Sequence, residues 1–189
     1  MEEMLSKKFN RTDKQIINAF MRLLAERSID KINVIDICEE AMIKRATFYN
    51  HFESKEQVFY AIIDEIENDL FLSIVENEEN YTLQKMLEMM AARTVDFLID
   101  NKERITVAIN NIRNKTYETI IVESINRSIR YLINKNKDRI NINFPIEMAS
   151  RFFSGGFTAL AVWWLTTDNN CTKEDLLTMV NSLLKKILA

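Results

Sequence analysis

The chain has 189 residues, 47% of them hydrophobic and 28% charged, with a formal net charge of −3. That balance belongs to a folded globular protein large enough to bury a core, and it excludes a chain-wide nucleic-acid polycation. Two glycines and one proline are too few turn residues for a protein of many short strands, so the expected fold class is all-α.

Residues 1–60 hold ten Lys/Arg and ten Asp/Glu, so the negative excess lies in the remainder. A local basic face in the N-terminal part stays open, because only a docking face must be positive. Cys38 and Cys171 are single and far apart, and there is no CxxC or Cys/His cluster. Zinc is therefore excluded as an expectation, no cofactor is expected, and a reducing compartment fits. The opening "MEEMLSKKFNRT" lacks a hydrophobic signal core, and "FTALAVWWL" (157–165) is too short to span a bilayer. The expected location is the cytoplasm, without membrane contact.

Residues 14–28 place Ile16, Phe20, Leu23 and Leu24 on one helical face, with Thr12 or Asp13 as candidate caps. Asn33 can cap a second helix, 34–41. After a very short turn a third helix runs from Lys44 to about Asn50. Ser54 and Gln57 have capping-box spacing and open a fourth helix carrying Phe59, Ile62, Ile63, Ile66 and Leu70. The polar run 76–82 is the first plausible divider. Amphipathic helices are then expected at 83–99, 103–112 and 116–134, followed by a polar connector at 135–144. Pro145 opens a long helix to 167, and Thr172 with Asp175 caps the last. The expectation is nine helices, three plus six.

Two helices joined by a tight turn form the mechanical unit that inserts its second helix in a DNA major groove. The pair alone is weak evidence. Its content strengthens it: "IKRATFYNHFESKE" (43–56) gathers cations, aromatic rings and the only histidine. Arg45 can bond guanine bidentately, and Thr47 can meet a base or a thymine methyl. Tyr49 and His51 can donate to phosphates, while Phe48 and Phe52, four apart, would face inward. Lys55 would meet a phosphate at the start of the fourth helix, where backbone N–H groups already attract anions. His51 has no second histidine for a metal or catalytic role. Its plainer alternative is a structural histidine bonded to backbone.

This stretch resembles the DNA-binding domain of the TetR family of bacterial transcriptional regulators. The family pattern is Ile-Ala-x-x-Ala, Gly-Val-Ser, a cation, Gly-Thr-Phe/Leu-Tyr, x-His-Phe and x-Ser-Lys-Glu. Here it reads Ile37, Cys38, Ala41, Met42, Ile43, Lys44, Arg45, Ala46, Thr47, Phe48, Tyr49, Asn50, His51, Phe52, Ser54, Lys55 and Glu56. Met42 and Ala46 stand where the family has glycine, and Lys44 where it has serine. The resemblance implies a three-helix helix-turn-helix DNA-binding domain at 1–53. It also implies a six-helix ligand-binding and dimerisation bundle at 54–189. The implied DNA contacts are Asn33, Lys44, Arg45, Thr47, Tyr49, His51 and Lys55.

In the bundle, Met86, Met90, Tyr117, Phe153 and Phe157 are candidates to line a pocket for an unknown small molecule. Plain core is the alternative, as a solvated face is for Arg104 and Arg113. Gly155 and Gly156 inside a helix suggest close approach of another helix. Phe152, Gly156, Leu160, Trp163, Trp164, Val180 and Leu184 are the candidate homodimer surface. The implied function is a ligand-responsive repressor released from a palindromic DNA operator. The alternative is a coactivator acting through pairing with another regulator. No acid–base or nucleophilic constellation points to an enzyme.

Overall fold

The computed structural model describes residues 9–75, 78–112, 115–139 and 145–188. They form α1 (Arg11–Glu26), α2 (Val34–Glu40), α3 (Arg45–His51), α4 (Lys55–Val75), α5 (Leu83–Asp100), α6 (Lys102–Asn111), α7 (Lys115–Lys135), α8 (Ile146–Thr166) and α9 (Lys173–Leu188). Short 3-10 turns occupy Ile29–Lys31, Glu78–Asn80 and Lys137–Arg139. Among the described residues there are nine α-helices and no strand, as expected. Residues 140–144 of the expected connector, 76–77 of the divider and Arg113 lie outside the described residues.

Local capping explains where the helices begin. The cap of α1 is Asn10, not Thr12 or Asp13. Asn10 Oδ1 accepts from the N–H groups of Thr12 and Asp13, and Asp13 Oδ2 accepts from the Asn10 N–H at 2.8 Å. A capping box needs an acceptor side chain three residues past the cap, and Asp13 supplies it for Asn10. Asn33 caps α2 in the same way with Asp36. At α4 the Gln57 N–H donates to Ser54 Oγ at 3.3 Å, but the reciprocal arm reaches Glu53 N–H instead. Thr172 and Asp175 close both arms at α9.

The chain divides into two compact units, Met1–Asn68 with Glu103–Ile121 and Asp69–Lys102 with Val122–Ala189. Helices α4 and α7 therefore each hold residues of both. In the first unit α1, α2 and α3 pack pairwise around Ile16, Phe20, Ile37, Phe48, Phe52 and Phe59, all buried. Each such side chain contributes about 1.5–3 kcal/mol by leaving water. The same unit takes in α6 and the start of α7. Asn111 Nδ2 donates to Leu24 O at 2.9 Å, and Ser28 Oγ donates to Asn111 O at 3.2 Å. Tyr117 is buried with its ring edge-on to Phe59, centroids 5.0 Å apart.

In the second unit α5 packs along α9, burying Leu83, Met86, Leu87 and Val95 with Leu176 and Leu184. The Lys173 ammonium pairs with Asp96. Trp164 Nε1 donates to Cys171 O at 2.8 Å across the turn between α8 and α9. Arg151 joins Glu123 at 2.8 Å and Glu147 at 2.7 Å, and Arg130 also reaches Glu147 at 2.7 Å. The Arg151 hydrogen bond holds Glu123, and the Arg130 hydrogen bond holds Glu147, below the usual carboxylate range. These groups are largely exposed, so the network orients α8 against α7 more than it stabilises. Among the described residues no helix is long and apolar enough to cross a membrane.

Candidate nucleic-acid interface

The turn between α2 and α3 is built by the end of α2. Ile43 N–H donates to Cys38 O at 2.9 Å, and Met42 N–H donates to Glu39 O at 3.0 Å. This six-to-one and five-to-two pair is a Schellman motif, which places Met42 at the left-handed position. Met42 indeed has φ of 52°, the only positive φ at a non-glycine among the described residues. Its side chain is 87% exposed. Gln15 Nε2, from α1, donates to Ala41 O at 2.6 Å and satisfies a carbonyl that the turn leaves open. Burial pushes the Cys38 thiol up, against a smaller lowering by Arg45, which suits a small neutral core side chain.

On α3, Phe48 and Phe52 point inward as expected, 0% and 3% exposed, with ring centroids 6.2 Å apart. The opposite face presents Arg45, Ala46, Tyr49 and Asn50, all exposed. The Arg45 guanidinium lies 6.0 Å from the Tyr49 ring centroid, a cation–π distance that limits where each can reach. Lys44 precedes α3, is exposed, and makes no side-chain cap. Thr47 is half-buried.

Three of the expected contacts are engaged inside the protein. Asn33 Oδ1 is occupied by the capping of α2. Lys55 Nζ donates to Ile29 O and Ile32 O, both at 2.8 Å, leaving one of its three protons. His51 Nδ1 lies 2.8 Å from Asp13 Oδ1, so the histidine is tied to a carboxylate and not to backbone. Lys44, Arg45, Thr47 and Tyr49 share the α3 end of the head. Asp13 was read from sequence only as a cap candidate. Nothing in positions 13 and 51 announces their pairing.

The candidate pocket residues do not share one unit. Met86 is buried and Met90, Phe153 and Phe157 are half-buried in the second unit, whereas Tyr117 belongs to the first. Of the candidate dimer residues, Phe152 is 66% and Trp163 44% exposed, and Gly156 is exposed. They recur at positions 152, 156 and 163 on one face of α8. A Cβ at Gly155 or Gly156 would meet nothing within 4 Å in this chain. Leu160, Trp164 and Val180 are half-buried and Leu184 is turned into its own chain at 4% exposure. Leu183 on α9, expected with them at that surface, is 45% exposed, and exposed Met179 was missed. Arg104 is exposed.

Residues 16–62 match the model for bacterial regulatory proteins of the tetR family, and 84–186 match a transcriptional regulator C-terminal region. The chain is 26% identical over 144 residues to the biofilm operon icaADBC HTH-type negative transcriptional regulator IcaR of Staphylococcus aureus, covering 71% of this chain and 74% of that one. It is 36% identical over 79 residues to the HTH-type dhaKLM operon transcriptional activator DhaS of Lactococcus lactis, 42% of this chain and 41% of that protein's length. The structure of the transcriptional regulator FadR from Bacillus subtilis, in complex with stearoyl-CoA, is similar in fold, with a TM-score of 0.63 and 18% identity over 93% of this chain and 97% of that one. With its helix-turn-helix head and its helical C-terminal region both matched, this chain belongs to the TetR family of bacterial transcriptional regulators.

Proposed function

We propose that this chain is a cytoplasmic, homodimeric repressor that leaves a palindromic operator when a small molecule binds its C-terminal region. Residues 1–53 serve the DNA and 54–189 serve ligand and dimer. The observation that carries the reading is the exposed α3 face, where Arg45 lies over Tyr49 and two buried phenylalanines fix the helix behind them. Two such helices, about 34–36 Å apart, would enter successive major grooves. The match to a negative regulator spans more of the chain than the match to an activator, which supports repression. A ligand preferring a conformation with misplaced α3 helices would lower operator affinity by that difference, typically ~1–3 kcal/mol. The solvated apolar face of α8 at Phe152 and Trp163 supports a second copy as its cover.

A gel-shift against DNA upstream of the chain's own gene tests the reading, with footprinting to reveal two related half-sites. Absence of any sequence-selective complex would remove it. A thermal-shift screen that begins with acyl-CoA thioesters then addresses the ligand. The second reading is a coactivator pairing with another regulator. The exposed Met42 at the turn and the partial similarity to an activator favour it. In that case the chain alone would give no shift, and the shift would need the partner.

A further inference from the structure

Asp13 sits in the first turn of α1, and its two oxygens do different things. Oδ2 accepts the Asn10 N–H. Oδ1 faces Nδ1 of His51, the last residue of α3, at 2.8 Å. Both side chains are mostly covered, 15% and 22% exposed. A carboxylate oxygen at that distance places the ring proton on Nδ1 and leaves Nε2 as the nitrogen not engaged by Asp13. We propose that Asp13 is a positioning residue for operator binding: it fixes the Nδ1–H form of His51 and supports the imidazolium when Nε2 meets a DNA phosphate. The inference rests on the DNA-binding reading above.

The proton count makes it specific. A neutral ring protonated on Nδ1 carries a lone pair at Nε2, which repels a phosphate oxygen. Donation from Nε2 therefore needs the doubly protonated ring, and a ring that is neutral before docking takes up one proton from water. The carboxylate of Asp13 then balances the charge. Several other charged groups of the surrounding elements have their own engagements, while Arg11, Lys14 and Lys44 are exposed. Lys55 holds the Ile29 and Ile32 carbonyls, Glu56 receives Tyr117, Glu40 pairs with Arg22 and Asp36 with Arg27, while Glu53 and Arg45 are exposed. Affinity should thus fall as pH rises, by at most about tenfold per pH unit for each His51 docked.

His51 is the only histidine, so its ring signals in nuclear magnetic resonance need no assignment. Two-bond proton–nitrogen correlations on the free chain should show the neutral ring protonated at Nδ1. Asp13→Asn keeps an acceptor for Nδ1–H but loses the charge, so it should hold the tautomer while weakening the bond to DNA. A neutral ring protonated at Nε2 overturns the inference. Affinity for a duplex selected from a random pool is then followed by anisotropy from about pH 5.5 to 8.5, the range over which histidine titrates. The unaltered protein should lose affinity across this range and His51→Gln should not. Asp13→Asn should bind more weakly than the unaltered protein. If Asp13→Asn fails to fold, the tautomer and the His51→Gln profile still decide. Tight binding with a flat profile sinks only this inference, whereas no duplex bound at any pH sinks the DNA-binding reading as well.

Discussion

The Tyr117 hydroxyl, in the first turn of α7, donates to Glu56 Oε1, in the first turn of α4, at 2.8 Å. Burial pushes the Tyr117 phenol well above its ordinary value, and the Glu56 bond adds to this. Burial alone would raise Glu56, but the Tyr117 hydroxyl, its own N–H, Ser54 and Lys55 outweigh it and hold the carboxyl low. The pair is therefore a neutral donor on a charged acceptor. It ties the part of α4 that follows the head to α7, beside the Asn111–Leu24 bond from α6.

Tyr117→Phe should cost about 1.5–3 kcal/mol of stability, as loss of a hydrogen bond to a charged group does. The lowered folded pKa of Glu56 contributes stability above its unfolded value and loses it as pH falls through the folded one. The difference between the two proteins should therefore shrink below about pH 4. The raised phenol works the other way, and stability from its neutral form should fade above about pH 10 in the unaltered protein only. Urea denaturation across that range reads both limbs. A pH-independent difference would contradict the charge assignment.

Lys55 separates a structural from a phosphate role. Lys55→Met leaves the Ile29 and Ile32 carbonyls without their donor, so the free protein should lose about 1–3 kcal/mol. If the third proton also reaches DNA, the slope of log affinity against log salt should fall by about one per protomer. Lost stability with an unchanged slope would assign the side chain to the fold alone.

Met42→Gly should stabilise the protein. The left-handed backbone at φ 52° costs a side-chain-bearing residue about 1–2 kcal/mol, and the 87% exposed side chain has little burial to lose. The greater freedom of glycine in the unfolded chain takes back roughly 0.5–1 kcal/mol. A rise in melting temperature is expected, and Met42→Val should lower it because a β-branched residue fits that conformation worst.

Arg45→Ala should weaken operator binding by about 1–3 kcal/mol if the guanidinium reads a guanine, with helicity and melting temperature unchanged. Tyr49→Phe keeps the ring under Arg45 and removes only the hydroxyl, so its smaller loss isolates the phosphate bond. Competition assays on duplexes changed one base pair at a time would show relaxed selectivity for Arg45→Ala and none for Tyr49→Phe.

Phe152→Glu places a charge on the exposed face of α8 without disturbing the buried side of the helix. If that face is a dimer surface, the variant should sediment at half the mass of the parent with its helicity intact. Dimer mass unchanged in Phe152→Glu and in Trp163→Glu would move the interface elsewhere.

Local patterns carried much of this protein. The inward pair Phe48 and Phe52, the Asn33 cap and the Thr172–Asp175 box are relations between residues three or four apart. Helix geometry brings such positions together whatever else the chain does. The left-handed Met42 was equally local, since the Schellman turn is closed by neighbours from 38 to 43. Even so, Asn10 took the α1 cap with Asp13 closing the box, while Gln15, spaced to serve Thr12, donates to Ala41 O.

What spacing could not decide was which polar groups would be used up inside the fold. Lys55 looked free for phosphate until the carbonyls of Ile29 and Ile32 were brought to it. Tyr117 looked like pocket lining until α7 packed it against Phe59 and Glu56. His51 found its partner 38 residues away. Sequence alone determined the nine helices of the described residues, their faces and the helix-turn-helix, because hydrophobic period and capping act within a few residues. Only the tertiary structure decided the engagement of each charge, because a hydrogen bond between distant positions exists only once packing has set the distance.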